Sequence, residues 1–301
     1  MMRGLIIRSQ SGFYTVQTEK GQFLSQLRGK LKHGRQQIDL AAVGDWVEIT
    51  PLDEEKGIVE SIEPRQRMFS RLAPNPHGEY QQVLIANPDQ VVLVFACTQP
   101  DPKMGMLDRF LVMAEKHGVP ALIVINKTDL MGLDEAQSLF DFYQELGYPV
   151  IYTSVPDQWG IETLRAALSQ KISLLTGPSG VGKSSLLNEI QPGLGLDVSK
   201  ISRATSKGRH TTVVRELFPL ENGGYVADTP GLKALALWDI EPEELDGYFP
   251  ELRALVEDCQ FNDCTHVHEP GCAVLQALED EKIHPSRYQS YVRMRFGDQE
   301  D

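Results

Sequence analysis

The sequence predicts an α/β core, a mostly parallel sheet covered by helices on both faces, set between an all-β N-terminal module and a helical C-terminal one. Three observations carry this expectation. Between residues 91 and 190, short apolar runs alternate with amphipathic stretches long enough for helices. Before residue 65 there are only short strand-like runs, with Gly, Asp and Pro between them. After residue 236 the chain turns acidic, and three of its four cysteines crowd into 259–272.

The 301 residues are enough for two or three compact domains. A formal net charge of −13 argues against a protein that coats nucleic acid along its whole surface. The charge is uneven, however. Residues 1–40 hold seven Lys/Arg against two Asp/Glu, and residues 236–301 hold five against sixteen. Met1–Gln10 lacks the apolar core of a secretory signal, and the apolar run Val91–Cys97 is far too short to span a bilayer. The expected setting is the cytoplasm, as a monomer with no membrane partner, its thiols available for metal rather than disulfides.

Residues 1–65 read as five strands: Arg3–Arg8, Gly12–Thr18, Gly21–Gln26, Trp46–Thr50 and Gly57–Ile62. Five strands in so short a segment suit a closed barrel of the OB type, a fold that often binds RNA. Lys20, Arg28, Lys30, Lys32 and Arg35 supply positive charge, and Phe13, Tyr14 and Phe23 are candidate stacking faces. Residues 64–82 read as a polar linker.

The segment 66–235 then alternates. Strands are expected at Val91–Ala96, Ala121–Ile125, Val150–Thr153 and Ile172–Thr176, with helices at Gly105–His117, Leu133–Leu146, Gly160–Gln170 and Lys183–Ile190. In such sheets ligands sit at the carboxyl ends of the strands, and the chemistry-bearing motifs all follow strands. Gly177-Pro178-Ser179-Gly180-Val181-Gly182-Lys183-Ser184 has the form G-x-x-x-x-G-K-[ST] between a strand and a helix. Its glycines let consecutive N–H groups turn toward an anion, and the helix start, with Ser185 in its first turn, adds unpaired donors. Lys183 brings a cation for the β- and γ-phosphates, and the Ser184 hydroxyl a ligand for Mg²⁺.

Asn126-Lys127-Thr128-Asp129 follows the strand Ala121–Ile125. A carboxylate only accepts hydrogen bonds, so Asp129 suits the N1–H and 2-amino donors of guanine, a pair that adenine lacks. The Lys127 stem can lie along the base plane. Thr153 and Ser154, after the next strand, are placed to touch the base from its other side. Asp228-Thr-Pro-Gly231 follows the strand Gly224–Ala227. Asp228 is a candidate for holding Mg²⁺ through water, and the Gly231 N–H for meeting the γ-phosphate. Between lies Lys207-Gly-Arg-His-Thr-Thr212, where either Thr211 or Thr212 can complete the Mg²⁺ shell; Thr212 is the preferred candidate.

These are the guanine-nucleotide elements of a GTPase in rotated order, since the base-reading motifs precede the phosphate loop. Neighbouring surface termini permit such a circular permutation without changing which strands adjoin. In residues 236–301, Cys259-x4-Cys264-x-His266-x5-Cys272 offers three thiolates and one imidazole, a closed set for one structural Zn²⁺. His268 competes with His266. Helices are expected at Glu243–Leu255, Cys272–Glu279 and His284–Arg295.

The combination resembles the RsgA/YjeQ family of ribosome-small-subunit-dependent GTPases over essentially the whole chain. The barrel, the order Asn126–Asp129, Gly177–Ser185, Asp228–Gly231, the Gly208–Thr212 segment and the Cys259–Cys272 cluster carry the likeness. It implies hydrolysis of GTP to GDP stimulated by the 30S subunit, a role in late 30S maturation, and binding to 16S rRNA. Leu232 stands where Ras-like GTPases carry a water-orienting Gln, and an apolar side chain cannot orient water. His210 is the nearest candidate in sequence for that catalytic part, and the resemblance points the same way. A competing reading from a different class is a zinc-stabilised RNA-binding assembly factor whose nucleotide only sets affinity. A phosphate-loop kinase or ATPase is disfavoured by Asp129.

Overall fold

Strand alternation closes the N-terminal module on itself. In the computed structural model, which describes residues 1–32, 37–73, 80–192, 215–228 and 240–297, five strands form it: β1 (Met2–Gln10), β2 (Phe13–Thr18), β3 (Gly21–Leu27), β4 (Trp46–Pro51) and β5 (Lys56–Ile62). The order β1-β2-β3-β5-β4 returns to β1 through the antiparallel register Met2↔Ile49 to Leu5↔Trp46, so the barrel has no free edge. Every second residue of β2 and β3 points inward, and Val16, Phe23, Val47, Ile49 and Val59 fill the centre. Tyr14 and Phe23 therefore belong to the barrel core, and of the three expected stacking faces only Phe13 is exposed.

The expected polar linker contains a hairpin instead. β6 (Met68–Ala73) pairs with β7 (Tyr80–Ala86), with a register shift between Phe69 and Ser70. Phe69, Val83 and Ile85 are buried. That irregularity, among Arg and Pro, hides the period-two pattern by which a strand is recognised. Arg65 ties the hairpin's entrance to the barrel with two hydrogen bonds of 2.8 Å to the buried Asp45 carboxylate.

The central sheet runs β10 (Val150–Thr153), β9 (Ala121–Asn126), β8 (Gln90–Ala96), β11 (Ile172–Thr176), β13 (Tyr225–Asp228), β12 (Arg215–Pro219). All pairings are parallel except β12 with β13. β8, β9 and β11 are buried along their full lengths, as a sheet covered on both faces requires. β12 also pairs with β1 at Arg8↔Glu216 and Ser9↔Arg215, so barrel and sheet share one hydrogen-bonded surface.

Two expected helices are broken. Leu133–Leu146 divides into Leu133–Phe140 and Phe142–Glu145 around Asp141, whose carboxylate accepts from Tyr152 Oη at 2.7 Å. Glu243–Leu255 divides into a 3₁₀ turn, Pro242–Tyr248, and the helix Pro250–Arg253, because the residue before Pro250 is held extended. The helix α1 (Met104–Lys116) serves two cores. Leu107, Phe110, Leu111 and Met113 pack into the large one, while Val112 joins Leu245, Phe249, Leu252 and Tyr291 of the C-terminal region. Arg287, on the C-terminal helix Pro285–Phe296, is fully buried against Asp108 of α1. Among the described residues no helix is long and apolar enough to cross a membrane.

Candidate functional site

At the carboxyl end of β11 the chain turns through Gly177–Gly182 into the helix Lys183–Ile190. Gly177 (φ +146°) and Gly182 (φ +94°) occupy backbone regions that side chains rarely adopt. Space forbids a side chain as well. A Cβ on Gly177 would lie 2.0 Å from the Val94 carbonyl oxygen, and one on Gly182 2.4 Å from Asn126 Nδ2. Lys183 Nζ reaches across the loop to the carbonyls of Gly177 (2.8 Å) and Pro178 (2.6 Å). Ser184 is buried in the first helical turn, followed by Ser185. Val181 is buried beneath the loop, whereas Ser179 and Gly180 face solvent.

The Asn126–Asp129 segment is tied to this loop. Asn126, almost fully buried, donates from Nδ2 to the Val181 carbonyl (2.8 Å) and accepts at Oδ1 from Thr153 Oγ1 (3.0 Å). Asn126 and Thr153 thus brace the two loops against each other. Lys127 takes a left-handed backbone (φ +68°), and its ammonium donates to the Gln99 carbonyl. Thr128 Oγ1 donates to the Thr153 carbonyl (3.2 Å). Ser154 Oγ donates to Asp129 Oδ1 (2.8 Å), which fixes the plane of an exposed carboxylate. Two backbone hydrogen bonds of 3.0 Å between Ser154 and Trp159 close the loop behind it.

Asp228 ends β13 opposite Leu175, two residues before the phosphate loop in the neighbouring strand. His210, Thr211, Thr212, Gly231 and Leu232 lie outside the described residues.

The cysteine cluster assembles as a compact set. The ligand atoms of Cys259, Cys264, His266 and Cys272 all lie within 4.8 Å of one another. Cys259 Sγ and Cys272 Sγ are 3.9 Å apart, and His266 Nδ1 lies 3.6 and 3.4 Å from them. A tetrahedron with Zn–S arms of about 2.3 Å has edges of about 3.8 Å, so the donors fit that ion. His266 Nε2 is 3.1 Å from Asp246 Oδ2. A carboxylate only accepts, so Nε2 carries the proton and the Nδ1 lone pair faces the thiols, as ligation demands. Burial pushes the Cys264 thiol up to about 12, a penalty on the thiolate that a bound cation reverses. Cys272 caps the helix Ala273–Glu279, its sulfur accepting from Leu275 N. His268 is exposed and outside the cluster.

The sequence profile described as RsgA GTPase matches residues 62–238, and that of the RsgA N-terminal domain matches residues 3–59. Relatives named small ribosomal subunit biogenesis GTPase RsgA include those of Gemmatimonas aurantiaca, 45% identical over 97% of this chain and 96% of that one, and Thermotoga petrophila, 42% identical over 98% and 96%. The chain belongs to the RsgA GTPase family. Among solved structures, YjeQ from Thermotoga maritima superposes with a TM-score of 0.79 at 38% identity, covering 98% of this chain and 97% of that one. YloQ, described as a circularly permuted GTPase, superposes with a TM-score of 0.74 at 33% identity, covering 100% and 96%.

Within this family frame, the fold holds Asn126–Asp129, Thr153 and Ser154 against the Gly177–Ser185 loop and gathers Cys259, Cys264, His266 and Cys272 into one cluster. It adds Asp246, which sequence spacing could not reveal because twenty residues separate it from His266. Truncation of Asp246→Ala is expected to lower zinc affinity about 10–100-fold, as loss of a carboxylate behind a ligating imidazole does. Competition with a chromophoric chelator measures this; unchanged affinity would show that the contact does not tune the site.

Proposed function

We propose that this chain hydrolyses GTP to GDP and phosphate under the control of the 30S ribosomal subunit, acting in late maturation of that subunit through contact with 16S rRNA. The observation that carries the reading is the braced pair of loops, with Asn126 joining the guanine-reading turn to the phosphate loop. Its relatives' name, small ribosomal subunit biogenesis GTPase, supplies the partner. The division of labour runs along the chain: residues 1–65 as the RNA-binding barrel, 66–235 as the permuted GTPase, 236–301 as the zinc-binding helical domain. The setting is the cytoplasm, and the working unit is a monomer.

Within the site, the N–H groups of Gly177–Ser185 and the Lys183 ammonium hold the β- and γ-phosphates. Asp129, its plane set by Ser154, pairs with guanine, while the Lys127 stem lies along the base. Ser184, Thr212 and Asp228 hold Mg²⁺, which when bound neutralises charge on the phosphates. The Gly231 N–H meets the γ-phosphate. Cys259, Cys264, His266 and Cys272 hold one structural Zn²⁺, whose binding energy is folding energy. His210, positioned by the docked subunit, orients the attacking water in place of the Gln that Leu232 replaces.

Turnover of GTP and ATP, each with and without 30S subunits, tests the reading. GTP hydrolysis is expected to rise by roughly tenfold or more with 30S, equivalent to ~1.4 kcal/mol or more off the barrier, and ATP is expected to give neither rate. His210→Ala is expected to bind GTP and 30S normally yet lose most of the stimulation. Stimulation that survives intact in that variant overturns the role of His210; no stimulation of the wild type overturns the functional reading.

A further inference from the structure

A cleft of about 390 Å³ lies at the seam between barrel and sheet, far from the phosphate loop. Its sheet side is built by Lys171, Ile172 and Tyr225, at the starting ends of β11 and β13, whereas the phosphate loop follows the other end of β11 and Asp228 closes the other end of β13. Leu5, Pro88 and Ile172 make an apolar floor, and Trp46 of the barrel forms a side wall.

The charges around this floor are not equivalent. Arg3 lies over the Trp46 ring, 4.0 Å from its centroid, and its guanidinium is paired with Glu63 at 2.6 and 2.9 Å. This pair neutralises itself and steadies the indole. Asp89 is turned to the Ile172 N–H at 2.7 Å. Two cations stay without a carboxylate partner among the described residues. Arg67 is exposed on the connecting segment, and Lys171 Nζ meets only the neutral Gln90 Oε1 at 3.1 Å. In a chain of net charge −13, two such cations flanking an apolar floor and an indole are a specific feature rather than a generally basic surface.

We propose that this cleft takes an unstacked nucleotide of single-stranded RNA, with the base on the floor beside Trp46 and the flanking phosphates on Arg67 and Lys171. The inference rests on the reading that the chain works on ribosomal RNA, and it names a contact site outside the barrel's own loops. A strand is the better match than a free nucleotide. The two cations come from two different walls, and a base within a strand has a phosphate on each side, whereas a nucleoside monophosphate has one. Because the cleft and the phosphate loop lie at opposite ends of the sheet, RNA and GTP can be held together.

The experiment uses the full chain with Trp159→Phe and Trp238→Phe, so that Trp46 alone reports. Its fluorescence is followed during titration with a single-stranded oligoribonucleotide of about ten nucleotides, within the usual span of single-strand binding sites, and separately with AMP and UMP. A saturable change with the oligonucleotide is expected. Adding Arg67→Gln and Lys171→Gln is expected to weaken binding by roughly tenfold or more and to flatten the log–log salt dependence by about 1.4, two phosphates at ~0.7 each. Basal GTP turnover, in which neither residue takes part, is expected to stay unchanged and serves as the check on folding. Equal affinity and salt slope in the double variant would overturn the cleft assignment. Monophosphates binding as tightly as the oligonucleotide would overturn the assignment to a strand. Absence of 30S stimulation in the wild type strikes instead at the functional reading, so the two failures are separable.

Discussion

Arg287→Met is expected to destabilise the protein by about 3–5 kcal/mol, the usual cost of removing one member of a buried ionic group. The side chain has no solvent exposure. Its guanidinium donates to Asp108 Oδ1 at 2.6 Å and to Glu251 at 2.7 and 3.3 Å, and it lies 4.4 Å from the centroid of the Phe249 ring. Burial by itself would lower the Arg287 pKa; Asp108 and Glu251 more than reverse that, so the side chain stays charged. Without the cation, two carboxylates face each other in an apolar interior. Among the described residues, Asp108 keeps only the Tyr143 hydroxyl at 2.8 Å, and its second oxygen has no hydrogen-bond partner even in the intact network. The damage reaches two cores at once, since α1 carries Asp108 and packs into both. Urea unfolding at fixed zinc concentration measures the loss. Replacing the whole group by apolar residues, Arg287→Met with Asp108→Leu and Glu251→Met, is expected to recover most of it, because no charge is then left unpaired. An unchanged midpoint for the single variant would refute the stabilising role of the network.

That network also marks the limit of what could be read in advance. Motifs confined to one turn are legible because their chemistry needs close spacing. The phosphate loop, the Asn126–Asp129 turn and the Cys259–Cys272 cluster all sit where strand-end placement and ligand spacing put them. The long buried strands declare themselves by unbroken apolar runs. Contacts between distant segments leave no such trace. Asp108 and Arg287 are 179 residues apart, and Asp246 and His266 twenty. An Arg on a C-terminal helix reads as a solvated charge until the partner helix is known. The β6–β7 hairpin escaped for a local reason, because its register shift interrupts the alternation that would have announced it. Asn126 and Ser154 illustrate a third case. Their positions were legible but their work was not. Asn126 and Thr153 brace the loops, and Ser154 orients Asp129.

The largest expected effect on specificity follows from the proposed role of Asp129. Asp129→Asn is expected to abolish the preference for GTP and to admit xanthosine triphosphate. Ser154 Oγ donates to Oδ1, and it also accepts from the Asp157 N–H at 3.2 Å, so its own proton points at the carboxylate. In the Asn variant, keeping the Ser154 hydrogen bond turns the amide oxygen toward Ser154 and places the amide nitrogen in the outer position. Guanine brings two donors to this edge, and the new N–H₂ opposes one of them. Xanthine carries a 2-oxo acceptor where guanine has its amino group, and its N1–H can still use the amide oxygen. A site built to pair polar groups rejects the mismatched analogue by about 10⁴-fold or more in kcat/KM, so the ratio between the two nucleotides is expected to invert over a range of that order. Ser154→Ala in the same background frees the amide to rotate. It is expected to recover acceptance of GTP only weakly, because the flipped amide still offers one acceptor to two guanine donors. Steady-state turnover with GTP and xanthosine triphosphate, at saturating 30S, reads the ratio directly. An Asp129→Asn protein that still prefers GTP would show that the base is recognised elsewhere.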